Sequence, residues 1–365
     1  VYALEQAGLP LGVLTALCHK LPLYSMGFCW LSVAAAALLL ALLISAFGKK
    51  NKEDNMDFSM PTKLYCEENA VLRHSGELGE FGRRCLVVTG GKAAKSCGAL
   101  EDMFKALDNE GIEYCVYDRV EPNPTVNCVF EGGRLAAQKG CEFVVGIGGG
   151  SPMDAAKAIA VVGANPGLDE EGLYSMSWPN EPLPIVLVGT TAGTGSEVTP
   201  VAVITASNGR KRSLRGDKIF AKLSFGDVRY TMSMPLNLTK STAVDAWAHC
   251  MESYFSKKAT DVSRGFAAEG MRQLLEPLKA LAEGKLPDDE YRGRLYEGSI
   301  LGGMAISITG TNLGHNLGYY MTETYNVPHG FACSMFLPAL IRHAMNCVPD
   351  YANELSAISA PMQEN

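Results

Sequence analysis

The segment that most constrains this chain is Phe143-Val-Val-Gly-Ile147 running without interruption into Gly148-Gly149-Gly150-Ser151-Pro152-Met153-Asp154-Ala155-Ala156-Lys157. A short β-branched apolar run reads as a buried strand. Three glycines then let the backbone turn and approach a neighbour closely, Ser151 suits a helix cap, and Pro152 suits a first helical turn. Strand, tight turn and helix in that order define a βα unit of a parallel sheet. The free amides at the helix start make an anion site, although a plain βα connection explains the same residues.

The flanking pattern extends the unit. Cys85–Thr89, Tyr114–Tyr117 and Pro184–Val188 read as further strands, and Leu100–Glu110 and Cys128–Lys139 carry helical spacing of apolar residues. Their alternation predicts a parallel sheet with right-handed crossovers. A second loop of small residues, Gly189-Thr190-Thr191-Ala192-Gly193-Thr194-Gly195-Ser196-Glu197, follows the strand ending at Val188. Two such loops at strand C-termini suit the two halves of a dinucleotide. Val201–Thr205 is strand-like and Ser207–Arg215 reads as a polar loop. Beyond Asn237 the periodicity becomes helical, over Ser241–Lys257, Ser263–Glu283, Asp288–Ile306 and Ala332–Asn346. The expected organisation is residues 1–55 as a membrane-spanning helix and linker, 56–235 as an α/β dinucleotide-binding domain, and 236–365 as a helical domain.

The first part rests on composition. Met26–Phe47 is almost unbroken in apolar residues and is followed by Lys49-Lys50-Asn51-Lys52. About 20 apolar residues span a bilayer, and a basic cluster just beyond marks the cytoplasmic side. The expectation is a membrane association through residues 23–47, resembling the last helix of a secondary transporter, with the remainder in the cytoplasm. A secretory signal and a soluble core helix are the competing readings. The net charge of −7 offers no basic field for nucleic acid, and the eleven scattered cysteines form no Cys-x-x-Cys pair, so they read as buried thiols.

In the helical part, Asp245 and His249 stand four residues apart and, on a helix, share one face. His315 and His329 follow. Aspartate with three histidines is a donor set for a divalent ion.

Taken together, Glu121–Thr125, Gly148–Lys157, Thr190–Thr199, Asp245–Glu252 and Tyr325–Gly330 resemble the iron-containing (group III) alcohol dehydrogenases in order and interval. The resemblance covers roughly residues 60–351 and stops before the family's usual C-terminal helices, so the chain reads as truncated. It implies the dehydroquinate synthase-like fold of that family, an α/β N-terminal dinucleotide-binding domain with a parallel sheet and an all-α metal-binding domain. It further implies that Asp245, His249, His315 and His329 bind Fe²⁺ or Zn²⁺ and form the catalytic centre. By the same resemblance Gly149, Gly150 and Ser151 contact the cofactor pyrophosphate, with Gly148 in the same turn; Thr190, Thr191 and Thr194 lie on the nicotinamide side, and Asn123 lines the cleft. Asp154 is either a cofactor residue or a carboxylate favoured by the helix dipole.

Four places depart from the family or stay open. Many relatives carry Thr-Asp after the first strand, where Thr89-Gly90 stands here with Lys92 and Lys95 nearby, so NADP(H) is expected over NAD(H). Tyr319 replaces a histidine four residues after His315, and either carries a proton or packs. Glu252 either supports a ligand or forms a helix salt bridge. In Arg210-Lys211-Arg212, relatives carry a cofactor-contacting lysine, with a solvated charge run as the bland reading. The reaction implied is reversible hydride transfer between a small alcohol or aldehyde and NAD(P)(H), in a homo-oligomer. The alternatives are a dehydroquinate synthase-like lyase of the same fold and an inactive fragment fused to a transporter segment.

Overall fold

The computed structural model describes residues 58–347. The membrane segment expected at 23–47 lies outside these residues. Among the described residues no helix is long and apolar enough to cross a membrane.

Six strands form one parallel sheet: β1 (Lys63–Cys66), β2 (Arg84–Thr89), β3 (Glu113–Tyr117), β4 (Phe143–Gly148), β5 (Ile185–Gly189) and β8 (Leu223–Gly226), in the order β1-β8-β5-β4-β2-β3. The crossover helices include α1 (Ala99–Asn109), α2 (Val126–Lys139) and α3 (Gly150–Ala164). All six residues of β4 are buried, because its neighbours β2 and β5 cover both edges and helices cover both faces. Helix α3 is correspondingly apolar nearly all round, with Ala155, Ala156, Ala158, Ile159, Ala160, Val161 and Val162 fully buried.

Two details of this part of the chain differ from expectation. Lys211–Arg215 is not a loop but strand β7, paired antiparallel with β6 (Val201–Thr205) in a two-stranded ribbon outside the main sheet. Its charged side chains are tolerated because the ribbon is solvated on one side. Ser151 does not cap α3: the helix begins at Gly150 with Gly149 in extended geometry as its cap residue, and Ser151 Oγ instead accepts a hydrogen bond from Asn123 N at 3.2 Å.

From Leu236 the chain is helical: α4 (Leu236–Tyr254), α5 (Asp261–Ala282), α6 (Asp289–Thr309), α7 (Leu313–Tyr325), α8 (His329–Ser334) and α9 (Leu337–Cys347). The single helix expected over Ala332–Asn346 is thus two. Pro338, one residue into α9, has no amide to continue the ladder from α8 but sits without penalty in a first turn. Helix α4 is the axis of this part, with Val244 to Tyr254 buried in an unbroken run. It packs Trp247, Met251 and Tyr254 in one cluster with Met271 and Leu274 of α5, Ile300 of α6 and Phe331 of α8.

Candidate active site

The loop after β5 joins the two layers. A Cβ on Gly193 would lie 2.6 Å from Thr242 Cβ of α4, and one on Gly195, where φ is +57°, would lie 2.6 Å from Gly303 Cα of α6. Only glycine allows the loop this close to both helices. The same loop faces the turn after β4: Thr190 N donates to Gly148 O at 2.9 Å, and Cβ atoms on Gly149 and Gly150 would stand 3.0 Å and 2.8 Å from the side chains of Thr191 and Thr194. Gly148, Gly149, Gly150, Ser151, Thr190, Thr191 and Thr194 are therefore assembled at the C-terminal ends of β4 and β5, the usual ligand edge of an open parallel sheet. Asn123, exposed and with φ of 59°, joins them through its bond to Ser151.

Asp154 and Gly90 take different positions from these. Both carboxylate oxygens of Asp154 are used by protein donors, Oδ1 by Ser196 Oγ (2.8 Å) and Oδ2 by Val203 N (2.9 Å), which fixes the ribbon to α3. Burial raises its pKa while the nearby Lys157 opposes the rise. Gly90 forms a bridge with Arg119, and a Cβ there would fall 2.0 Å from the Val120 carbonyl. No side chain fits at Gly90, so an aspartate substituted there would disrupt the chain before it could repel a phosphate.

Facing the loops, Asp245 and His249 project from α4, His315 from α7 and His329 from the first residue of α8. Asp245 and His315 are 3% and 1% exposed. His315 Nε2 lies 3.5 Å from Asp245 Oδ1, and both atoms are buried without a hydrogen-bond partner. The His249 and His315 rings stack at 4.6 Å, and the His329 ring stands edge-on to His315 at 5.5 Å. Each of two histidines has one nitrogen committed elsewhere. His315 Nδ1 lies 2.8 Å from Glu252 Oε1, and His249 Nδ1 lies 3.2 Å from Gly193 O. A proton on each Nδ1 leaves each Nε2 with a free lone pair, the tautomer a metal ligand needs. Uncompensated buried donors and acceptors are costly, and a cation among Asp245 Oδ1 and His315 Nε2 would compensate both. These residues fit a divalent ion.

The electrostatics agree only in part: burial works against a charged His315 ring, yet Cys333, Glu252 and Asp245 outweigh it and hold its pKa well above the ordinary imidazole value, so a cation at Nε2 would have to displace a proton there. Burial works against the Asp245 carboxylate, yet His249, His329 and His315 outweigh it and hold its pKa well below the usual carboxylate range. Burial pushes His329 down to about 3 and also lowers His249, so both rings are neutral near pH 7.

Glu252 takes the supporting role. Its Oε1 also accepts from His315 N (3.1 Å), and Oε2 accepts from Asn312 N. Tyr319 stacks flat on His329 at 5.4 Å, and burial pushes its phenol to about 12, so the hydroxyl keeps its proton near neutral pH. Lys211 Nζ stands 5.3 Å over the Tyr319 ring, while Arg212 is paired with Glu171 at 2.7 Å. Lys211 alone of the basic triplet thus reaches the site. Sequence reasoning passed over Cys333, whose Sγ is 3.6 Å from His329 Nδ1. Its spacing of four from His329, the same as Asp245 to His249, was the available signal. A separate cavity of about 710 Å³, lined by Cys66, Asp227, Arg229 and Glu297 among others, includes none of these residues.

A parallel sheet carrying two glycine-rich loops, set against helices with a buried Asp-His cluster, is an arrangement suited to an enzyme that uses a dinucleotide and a divalent ion. The comparisons with known proteins are specific. Residues 61–228 match the model for iron-containing alcohol dehydrogenase, and residues 239–363 match the model for the C-terminal part of the Fe-containing alcohol dehydrogenase family. The chain is 32% identical over 286 residues to an NAD-dependent methanol dehydrogenase of Bacillus methanolicus, covering 77% of this chain and 74% of that protein. It is 31% identical to lactaldehyde reductase of Escherichia coli (strain K12) over 264 residues, 72% of this chain and 68% of that one. The crystal structure of an iron-containing alcohol dehydrogenase from Thermotoga maritima superimposes with a TM-score of 0.78 at 38% identity, covering 83% of each chain. The chain belongs to the iron-containing alcohol dehydrogenase family, with its N-terminal parallel-sheet domain and helical C-terminal domain. That membership sets aside the lyase alternative.

Proposed function

We propose that this chain interconverts a small alcohol and its aldehyde by hydride transfer with NAD(P)(H), using a divalent ion held by Asp245, His249, His315 and His329. The observation that carries the reading is the pair of unpartnered buried atoms, Asp245 Oδ1 and His315 Nε2, beneath the Gly193 loop. In the proposed division, residues 56–235 bind the dinucleotide and 236–365 bind the metal. Fe²⁺ and Zn²⁺ both suit imidazole with one carboxylate, and raw affinity favours Zn²⁺. When bound, the ion acts as a Lewis acid on the substrate oxygen, lowering the alcohol's pKa or polarising the carbonyl.

The chain's own residues set the geometry. Gly148–Ser151 present free backbone amides at the start of α3 to the cofactor's pyrophosphate. Thr190, Thr191 and Thr194 hold the nicotinamide side, packed against Gly149 and Gly150 so that neither loop shifts alone. Asn123 borders the cleft through Ser151. Glu252 keeps the ring proton of His315 on Nδ1, and the Gly193 carbonyl does the same for His249. Tyr319 keeps its phenolic proton and forms a wall on His329, without acting as a base near neutral pH.

For the cofactor, we favour NADP(H): Gly90 supplies no carboxylate, and Lys92 and Lys95 are exposed just beyond it. The similar methanol dehydrogenase of Bacillus methanolicus is named NAD-dependent, so the two cofactors are compared directly. Reduction of short-chain aldehydes with NADPH and NADH tests the whole reading on protein loaded with Fe²⁺ or Zn²⁺. Activity with either cofactor that a chelator removes and metal restores is expected. A folded, metal-loaded chain that reduces no short aldehyde refutes it. The double variant Lys92→Glu, Lys95→Glu should lower the NADPH/NADH ratio of kcat/KM, and an unchanged ratio would overturn the NADP(H) preference.

A further inference from the structure

Two thiols meet on the outer side of the parallel sheet, away from the glycine-rich loops. Cys115 stands in β3, the last strand in the sheet order, and Cys141 stands between α2 and β4. Their sulfurs are 3.6 Å apart, and Cys115 Sγ is also 3.8 Å from the Cys85 carbonyl of β2. A disulfide bond is about 2.05 Å long, so the two sulfurs need to close by about 1.5 Å. Both backbones can follow. Among the described residues β3 has a neighbouring strand on one side alone, and Cys141 comes directly after Gly140, which ends α2 at φ of 62°. Strand β4 begins at Phe143 and ends at Gly148, so at about 3.3 Å per residue the turn proposed for the cofactor starts more than roughly 15 Å from Cys141.

The surroundings give the two sulfurs different characters. Cys115 is partly exposed, whereas Cys141 is buried in the apolar cluster that contains Val129 and Ala136. With Cys141 Sγ–H as the donor, and with the Lys139 and Arg84 charges acting in the same direction against burial, the Cys115 thiol is held below its ordinary pKa. Arg84 is fixed beside the turn, since its Nη1 donates to Lys139 O at 3.1 Å. Cys128 is also of intermediate exposure, yet burial raises its thiol, as it does those of Cys85 and Cys97. A partly exposed thiolate with a protonated thiol in contact behind it is the arrangement of a reversibly oxidised pair.

We propose that Cys115 and Cys141 form an oxidation site that takes a hydroperoxide as its oxidant and keeps the product as a disulfide. The Cys115 thiolate attacks one peroxide oxygen. The O–O bond breaks, Cys115 becomes a sulfenic acid, and the departing hydroxide takes a proton from solvent to become water. Cys141 Sγ then attacks Cys115 Sγ; the S–O bond breaks, the S–S bond forms, and hydroxide leaves with the Cys141 proton as a second water. Two electrons pass from the two thiols to one peroxide. Cys115 itself, through its hydrogen bond and charge, is a main cause of the raised Cys141 pKa, with burial adding to it. Conversion of Cys115 to a neutral sulfenic acid removes that hold, which frees the second thiol to react. The disulfide joins both ends of the segment 115–141, which carries Asn123, and leaves the proposed metal ligands untouched.

The test exposes the full chain, in buffer freed of redox-active metal, to a small excess of hydrogen peroxide at pH 7, followed by alkylation and non-reducing peptide mapping. The expected result is one cross-linked peptide pair joining Cys115 to Cys141, reversed by dithiothreitol. Loss of free Cys115 should run at least about tenfold ahead of loss of Cys128, because its thiolate fraction is larger. In Cys141→Ser the reaction should stop at a Cys115 sulfenic acid that dimedone traps, and in both Cys115→Ser and Cys115→Ala Cys141 should stay free. Cys115 still free when Cys128 has reacted, or Cys115 joined to any other thiol, overturns the proposal and assigns the pair to packing. None of these readouts depends on metal or cofactor binding, so the dehydrogenase reading stands or falls separately.

Discussion

Glu252→Gln isolates the contribution of the group behind His315, a proposed metal ligand. Glu252 is buried and its two oxygens accept three hydrogen bonds, from His315 Nδ1, His315 N and Asn312 N. Glutamine keeps the shape but turns one oxygen into a donor. Placed toward Asn312, the new NH₂ faces another N–H, at a cost of about 1–3 kcal/mol for an unsatisfied buried donor. Placed toward His315, it forces the ring proton to Nε2 and removes the lone pair aimed at Asp245. The first placement costs stability and weakens a charge-assisted bond to a neutral one. The second costs metal affinity directly. Since both placements are populated according to their costs, metal affinity should fall about 10–100-fold, the usual penalty for losing an outer carboxylate partner. That corresponds to about 1–3 kcal/mol. Chelator competition on the purified protein measures the affinity, and thermal melting with and without metal separates it from stability. A metal-free protein that melts lower but binds metal with unchanged affinity would refute the reasoning, since Glu252 would then only pack.

Gly330→Ala should cost about 3 kcal/mol, the upper part of the overpacking range, because its Cβ would sit 1.8 Å from the Ser241 carbonyl of α4; equilibrium denaturation showing no loss would contradict the packing of α8 on α4. Lys157 is buried among Ser196, Thr199 and Val201 acceptors, and burial lowers its pKa from 10.5 to about 8. The folded state therefore sheds its proton first, and the penalty for burying the charge is full below pH 8 and relieved between about pH 8 and 10.5. Unfolding free energy of the unmodified chain relative to Lys157→Met should rise across that window by at most about 3 kcal/mol, and a flat or falling difference would be evidence against it. Gly90→Ala should lower the melting temperature without needing any cofactor, as its Cβ meets the Val120 carbonyl; a melting temperature equal to the parent's would argue that the turn can relax.

Much of the candidate site could be read from residues alone because the loops and the proposed ligands are locally coded. Phe143–Lys157 announces strand, turn and helix within fifteen positions, and Asp245 with His249 needs only a helical period to share a face. What resisted reading depends on distant neighbours. Strands β1 (Lys63–Cys66) and β8 (Leu223–Gly226) are four residues long and show no alternation; they become strands because β8 pairs with β5 on one side and β1 on the other. Lys211–Arg215 reads as a solvated loop until Val201–Thr205 is set beside it. The absence of an acid at Gly90 reads as cofactor specificity in one dimension, whereas in three it is also enforced by the Val120 carbonyl. The choice for Glu252 between salt bridge and ligand support turns on Asn312 and His315, some sixty residues later.

The Gly193 carbonyl holds the His249 ring from a loop whose other residues press on Gly149 and Gly150. One short segment thus touches both His249, a proposed ion ligand, and the turn proposed for the cofactor. Thermodynamic reciprocity then applies: whatever factor the metal contributes to dinucleotide affinity, the dinucleotide must contribute to metal affinity. The two proposed sites share a single loop, and its backbone is the physical link through which such a factor would act.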